Sequence, residues 1–361
     1  MTVQIDDLLR RVVESGASDL HLKVGSPPVM RSDGELRRMD DVAMLKPADT
    51  EGYATQLFTQ RAARDFKANG EADFAYGRPD IGRFRVAAFR QRGSVSMVLR
   101  RVVPGAPGFE ELGLPGVIRK LVEEPGGGVV LVTGPSGSGK TTTMASMVDW
   151  INENRSVSIV TVEDPIEVLH PDKKAVVAQR EVGVDTLDFS HAVRSAMRQD
   201  ADVIVISEID DYETARAAIS ASETGHLVIS SMRTTDPADT LNRLIGYFPE
   251  AQQPMVRTQL AALLRGIVSQ RLLETVGGSG QVLAVEVLTS NERVQEWILA
   301  GTPSGALQEV IKESEFFGMQ TFDQSILKLV LNRHVEVGIA LPHVRNSHQL
   351  RAKAMEAGLL S

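Results

Sequence analysis

The spacing of apolar residues along the N-terminal third predicts a small domain that mixes helices and strands. A helix is expected over residues 5–16, where Gly16 ends an apolar face formed by Ile5, Leu8, Leu9, Val12 and Val13. Short strands are expected near residues 20 and 29, followed by a helical region over 47–68. Alternating segments then predict strands at 73–76, 84–89 and 95–103.

The pattern changes from residue 114 onward, where short apolar runs alternate with amphipathic stretches. Strands are predicted at 129–133, 157–163, 175–180, 202–207 and 226–231. Helices are predicted between several of them, at 140–154, 189–199 and 212–224. This alternation is typical of a doubly wound parallel sheet, and the fold class is therefore α/β. Further along, the pattern predicts a long amphipathic helix over 255–273, a strand over 282–288 and three or four C-terminal helices.

The stretch Pro104-Gly105-Ala106-Pro107-Gly108 is the clearest linker in the chain. Proline and glycine in this density favour an exposed connection between domains. We therefore expect an N-terminal domain over 1–103, a linker over 104–113 and a second domain over 114–361.

Composition narrows the possible classes of protein. The chain has 361 residues, of which 42% are hydrophobic and 24% charged, as expected for globular domains with real cores. Because it contains no cysteine, disulfides, thiol catalysis and cysteine-based zinc sites are excluded. No apolar stretch is long enough to predict a membrane span. The net charge of −8 argues against broad nucleic-acid binding.

A complete G-x-x-x-x-G-K-[ST] motif lies between the predicted strand 129–133 and the predicted helix 140–154. Glycines let backbone N–H groups turn towards a polyphosphate, and the helix start adds positive potential. The side chain of Lys140 would reach the β- and γ-phosphates, and Thr141 would offer its hydroxyl to Mg²⁺. The candidate nucleotide-binding residues here are Gly134, Pro135, Ser136, Gly137, Ser138, Gly139, Lys140, Thr141 and Thr142.

Hydrolysis also needs carboxylates at the metal and at the attacking water. Glu208 follows the apolar strand 202–207, the position expected of a Walker B residue that holds the metal. Glu163 follows strand 157–163 and opens the acidic segment Glu163-Asp164-Pro165-Ile166-Glu167, so we expect it to polarise the water.

Histidine and arginine complete the candidate set. His226 opens the predicted strand 226–231, and we expect it to lie near the phosphates or the metal. Arginines crowd the end of the first domain, where one or two could reach a neighbouring subunit's γ-phosphate. Among them we include Arg85 and Arg100 as candidate nucleotide-binding residues.

Together these motifs resemble the secretion ATPases, and most closely the type IV pilus retraction (twitching motility, PilT-type) ATPases. The resemblance spans nearly the whole chain. It is carried by the phosphate loop, by the acidic segment 163–167 and by the stretches 17–22, 179–183, 194–198, 223–228, 269–272 and 318–323. It implies a RecA-like P-loop ATPase core with an N-terminal PAS-like domain and C-terminal helices.

The resemblance also implies a function and partners. The chain would form a homo-hexamer that binds ATP and Mg²⁺ and drives pilus retraction. It would be cytoplasmic, at the inner face of the cell membrane, and would work against an inner-membrane platform protein, with a partner retraction ATPase as a further possibility. Membrane association would arise only through these partners.

Three departures from the family pattern bear on turnover. Asp210 replaces the arginine usual in the Walker B segment, and Arg233 replaces a histidine ahead of Thr234. We predict that these two side chains form an ion pair, because both follow neighbouring strands. Residues 290–298 stand in place of the family's retraction motif and keep its helical amphipathicity and one arginine.

Two other readings stay open from the sequence. The chain could be a regulatory ring subunit that binds ATP but hydrolyses it weakly, as Asp210 and Arg233 suggest. It could instead be a pilus assembly or type II secretion ATPase. Those ATPases usually carry a longer N-terminal extension and a four-cysteine zinc module; we expect neither here, which favours the retraction branch.

Overall fold

The structure is a computed structural model and describes residues 3–32, 34–278, 280–301 and 304–360. The chain forms two compact units. The first comprises Met1–Pro104 together with Pro165–Leu169, and the second comprises Gly105–Asp164 and His170–Ser361. The acidic segment 163–167 is thus divided between the units after Asp164.

The first unit is built on a six-stranded antiparallel sheet in the order β3-β2-β1-β6-β5-β4. Its strands are β1 (Asp19–Leu22), β2 (Val29–Ser32), β3 (Glu35–Arg38), β4 (Glu71–Arg78), β5 (Gly82–Gln91) and β6 (Ser94–Val102). Its helices are α1 (Ile5–Glu14), α2 (Pro47–Leu57) and α3 (Gln60–Asn69). The apolar face predicted for the first helix is buried in α1, where Leu8, Leu9 and Val12 have no exposed surface.

The second unit contains a seven-stranded sheet in the order β13-β12-β7-β11-β10-β8-β9. All neighbouring pairs are parallel except β12 and β13. The strands are β7 (Gly128–Thr133), β8 (Ser158–Glu163), β9 (Val176–Glu181), β10 (Val203–Ile206), β11 (Leu227–Met232), β12 (Leu264–Glu274) and β13 (Gln281–Thr289). The α/β class and the parallel sheet predicted from the sequence are confirmed.

Helices accompany this sheet. They are α4 (Val117–Glu123), α5 (Lys140–Asn154), α6 (Phe189–Ala196), α7 (Tyr212–Glu223), α8 (Pro237–Gly246) and α9 (Gln253–Leu263). The sheet interior is almost wholly apolar: every residue of β7 and of β10 is buried. Such continuous burial is expected of central parallel strands.

The long helix predicted over 255–273 is wrong in its second half. Helix α9 ends at Leu263, and the chain continues directly as strand β12 between β7 and β13. At Gly266 a Cβ atom would lie 2.7 Å from the carbonyl oxygen of Leu288. The close cross-strand approach therefore requires glycine at this position, and the sheet overrides an apolar spacing that also fits a helix.

The C-terminal helices are α10 (Glu292–Ala300), α11 (Ser304–Glu313), α12 (Phe322–Leu331), α13 (Val337–Ala340) and α14 (Ser347–Glu356). The segment 290–298 lies mainly in α10, which buries Val294, Trp297 and Ile298 and carries Arg293 in an exposed ion pair with Glu313. Across the described ranges, each helix falls short of the length or the apolar character needed to cross a membrane.

Candidate nucleotide-binding site

The phosphate loop has the local geometry that the motif requires. Strand β7 ends at Thr133, the loop follows, and helix α5 begins at Lys140. Gly137 and Gly139 adopt positive φ angles of 79° and 87°, which L-residues with a side chain rarely adopt. The backbone therefore turns tightly ahead of the helix, whose N-terminus favours bound anions.

Gly134 is required by a close approach as well as by its φ of 146°. A Cβ atom here would lie 2.5 Å from the carbonyl oxygen of Gln270 and 2.5 Å from the Ser138 hydroxyl. Gln270 is fully buried and donates to the Thr143 hydroxyl at 2.6 Å. Strand β12 thus packs against the phosphate loop. The apolar spacing does not reveal this contact, because it predicts a helix over these residues.

The Lys140 ammonium lies back on its own loop. It donates to the carbonyl oxygens of Gly134 at 2.9 Å and of Pro135 at 3.0 Å. A bound polyphosphate would offer this cation acceptors of greater negative charge than the two carbonyls. Thr141 and Thr142 follow in the first turn of α5, with Thr141 exposed.

The strand order brings Arg233, Glu208 and Glu163 to the same edge of the sheet as the phosphate loop. Strands β7, β11, β10 and β8 are successive parallel neighbours, so their carboxyl ends meet there. The phosphate loop follows β7, Arg233 follows β11, Glu208 lies two residues beyond β10, and Glu163 ends β8. This is the edge at which ligands bind in open parallel sheets.

Glu208 is paired with Arg233, at a distance of 2.7 Å between Oε2 and the guanidinium. The Arg233 side chain is 62% exposed and that of Glu208 is 20% exposed. The predicted ion pair between Asp210 and Arg233 is therefore wrong. Arg233 reaches the strand-end carboxylate of the adjacent β10, while Asp210 lies exposed beyond it.

Glu163 is held on its Oε1 atom by two side chains of the sheet. The Thr161 hydroxyl donates to it at 2.6 Å and the Gln179 amide at 2.9 Å. Thr161 and Gln179 are register partners on β8 and β9. The sequence predicts Glu163 as a site residue. It does not predict these two hydrogen bonds, because they depend on the register of β8 and β9.

His226 lies at the wrong edge for the role expected of it. It directly precedes β11, and its carbonyl accepts from the backbone N–H of Gly128, where β7 begins. Because β7 and β11 are parallel, the phosphate loop is one strand length away, roughly 20 Å at about 3.3 Å per residue. The His226 ring instead contacts the carbonyl of Ala221 at 2.9 Å, a structural role at the end of α7.

Arg85 and Arg100 are register partners on β5 and β6 of the first unit. Each makes an ion pair within that unit. Arg85 pairs with Glu167 at 3.1 Å and Arg100 pairs with Asp19 at 2.8 Å. Their proposed contact with nucleotide stays a prediction.

The donor set at this edge fits Mg²⁺ bound together with phosphates. Thr141 supplies a hydroxyl and Glu208 a carboxylate, and Mg²⁺ prefers oxygen ligands in this small number. Among the residues that the structure describes, no cluster of three or more acidic or histidine side chains could hold a metal alone. Phosphate oxygens and water molecules would complete the coordination.

A phosphate loop after one strand, an acid at the end of a strand two positions away in the sheet and a second acid on the next strand define the class of this protein. It is a P-loop ATPase with a RecA-like core.

Comparison with known proteins identifies the family. Residues 82–354 match the model of the type II/IV secretion system protein family. The chain is 39% identical to the type IV pilus retraction ATPase PilT of Pseudomonas aeruginosa, covering 91% of this chain and 94% of that one. It is 37% identical to the type IV pilus ATPase PilU of the same organism, covering 97% and 91%.

A crystal structure of the pilus retraction motor PilT with bound ADP superimposes with a TM-score of 0.85 at 40% identity, covering 97% of this chain and 99% of that one. The chain belongs to the type II/IV secretion system protein family, among its PilT-type retraction ATPases. The resemblance inferred from the motifs is confirmed, as is the expectation of an ATP-hydrolysing enzyme that binds nucleotide.

Proposed function

We propose that this protein is the ATP-hydrolysing motor that retracts type IV pili. The observation that carries the proposal is the match over almost the full length of a PilT retraction ATPase, with the complete phosphate loop and both strand-end acids in place. The protein would act as a homo-hexamer at the inner face of the cell membrane, against a platform protein in that membrane.

Each residue at the carboxyl edge has a part in this proposal. The loop N–H groups cradle the phosphates, and Lys140 exchanges its two carbonyl contacts for β- and γ-phosphate oxygens. Thr141 and Glu208 would hold Mg²⁺, which supplies charge neutralisation on the phosphates when bound. Glu163 orients the attacking water and accepts its proton.

The first test is steady-state ATPase activity of the purified hexamer-sized fraction, beside a Glu208→Ala control. Clear turnover that depends on Mg²⁺ and that the control abolishes is the expected result. In cells, deletion of the gene should give surplus surface pili and loss of twitching. Loss of surface pili would contradict retraction and favour an assembly motor.

A second candidate function rests on the ion pair between Arg233 and Glu208. An arginine on the metal-binding carboxylate competes with Mg²⁺ for the same oxygens, which favours a ring subunit that binds ATP tightly and hydrolyses it weakly. Such a subunit would depend on an active partner ATPase. Phosphate release at the rate usual for motor ATPases, measured on the purified protein alone, would exclude it.

A further inference from the structure

The support of Glu163 goes beyond a single hydrogen bond. Its Oε1 atom accepts from Thr161 on its own strand and from Gln179 on the neighbouring strand. Two donors that converge on one carboxylate oxygen fix the plane of the carboxyl group, since each bond constrains a different direction. We propose that Gln179, together with Thr161, is a positioning residue that aims the Glu163 carboxylate at the attacking water; this inference rests on the role proposed for Glu163.

The orientation of the Gln179 amide is set by its other contact. Its Oε1 atom accepts from the backbone N–H of His170 at 2.9 Å. A backbone N–H is only a donor and a carboxylate is an acceptor, so the oxygen must face His170 and the nitrogen must face Glu163. The amide therefore cannot flip without losing both bonds.

The anchor behind Gln179 is buried. His170 is 8% exposed. The chain that follows it is bonded to the side chain of Asn152, which donates to the carbonyl of Pro171 at 2.8 Å and accepts from the N–H of Lys173 at 3.1 Å. Asn152 itself is fully buried in α5. The backbone that holds Gln179 is thus fixed to the helix that begins at the phosphate loop.

Thr161 is the more rigid of the two donors. It is 2% exposed, and its β-branched side chain on β8 has few rotamers available. Its bond to Glu163 spans two residues along one strand, which places both side chains on the same face of the sheet. Glu181 is the register partner of Glu163 on β9, and Asp164 follows Glu163 along the chain, so both are titratable neighbours at this strand end.

The decisive variant is Gln179→Glu. It keeps the shape of the side chain and can still accept from His170, but it loses the N–H donor and brings a second carboxylate against Glu163. We expect kcat to fall about 10-fold to 100-fold, the usual effect of losing a hydrogen bond to a charged group, with ATP affinity unchanged. The acid limb of the pH–kcat profile should move to higher pH, because the carboxylate form of Glu163 is less favoured.

The matched control is Gln349→Glu, the same change at an exposed position of α14. It should leave kcat, ATP affinity and the pH profile as in the parent protein. If Gln179→Glu does not fold, Thr161→Val decides. Thr161→Val is isosteric and should lower kcat and move the acid limb of the pH–kcat profile to higher pH. Thr161→Ser keeps the hydroxyl and should keep the kcat and the acid limb of the parent protein.

Unchanged kcat and an unmoved acid limb in folded Gln179→Glu or Thr161→Val would overturn the inference. The parallel variant Glu163→Gln separates this failure from failure of the proposed function. If Glu163→Gln is inactive while the other variants are normal, only the positioning role is wrong. If Glu163→Gln keeps full turnover, the role of Glu163 itself is wrong.

Discussion

The two strand-end carboxylates of this site are held in contrasting ways. Glu208 is reached by the guanidinium of Arg233, whose long side chain is mostly exposed. Glu163 is reached by the short buried side chain of Thr161 and by Gln179, which is itself fixed to the backbone. A flexible, exposed contact is easily displaced, whereas a short, buried one keeps its geometry. We therefore expect Glu208 to exchange partners during the catalytic cycle and Glu163 to stay in place.

The largest effect should come from Gly134→Ala, because it should prevent binding of the nucleotide on which both carboxylates act. The new Cβ would collide with the Gln270 carbonyl and with Ser138, at a backbone angle that favours glycine. We expect loss of nucleotide binding, measured by titration with a fluorescent ATP analogue. Gly225→Ala, outside the phosphate loop, is the control, because no atom lies near that Cβ and only the penalty of its positive φ, about 1 kcal/mol, remains. Equal losses of nucleotide binding in the two variants would show that the close approach at Gly134 is not what binding requires.

The next effect separates the two carboxylates directly. Glu163→Gln should lower kcat by about 10²-fold to 10⁴-fold, the usual contribution of a general base, and should leave nucleotide affinity intact. Glu208→Gln should instead weaken the Mg²⁺ dependence of nucleotide binding. Isothermal titration with and without Mg²⁺, beside turnover, checks both. A change in Mg²⁺ dependence in Glu163→Gln would contradict this division of roles.

A smaller change in the Mg²⁺ dependence of activity is expected when the ion pair between Arg233 and Glu208 is broken. Arg233→Ala should lower the Mg²⁺ concentration needed for half-maximal activity about twofold to fivefold, since exposed pairs contribute up to about 1 kcal/mol. Salt should diminish the difference. Arg293→Ala removes another exposed, paired arginine and should have no such effect. Complete loss of turnover in Arg233→Ala would instead make this arginine a phosphate ligand.

The smallest effect concerns the anchor behind Gln179. Burial lowers the pKa of His170 below its ordinary value of 6.5, and the nearby Asp149 opposes the shift only in part. The neutral ring is favoured in the folded state, so stability is full above the ordinary pKa and decreases as the pH falls below it. Thermal unfolding at about pH 7.5 and about pH 5.5 should show a smaller difference for His170→Asn than for the parent.

His348→Asn, at an exposed position of α14, is the control for that measurement. It should keep the pH dependence of the parent. A parent-like dependence in His170→Asn would mean that other groups carry the acid destabilisation.

The sequence was most informative where a motif and its flanking elements agreed. The strand, loop and helix around Lys140 were predicted within a residue of their observed bounds, as was the position of Glu163 at the end of β8. The sequence was less informative about position along a strand: His226 directly precedes β11, and a residue that precedes a parallel strand lies at the edge opposite the phosphate loop. That conclusion needs the direction of the strand as well as its existence.

Other features depended on information that spacing does not contain. The apolar pattern of 264–273 fits a helix or a buried strand equally, and only its pairing with β7 and β13 decides. The contact between Gln179 and Glu163 requires the register of two strands that are joined by a connection without regular structure. The partner of Arg233 requires the order of β10 and β11 in the sheet.

The passage of residues Pro165–Leu169 into the first unit has a practical consequence for dissecting the protein. Glu167 pairs with Arg85, and Leu169 forms a backbone bridge with Pro104, so this segment completes the first unit although it is encoded between β8 and β9. A single proteolytic cut within 104–108 leaves it attached to the other fragment. An exchange of the N-terminal domain between relatives would likewise have to include this internal segment, because two separate stretches of the gene encode the first unit.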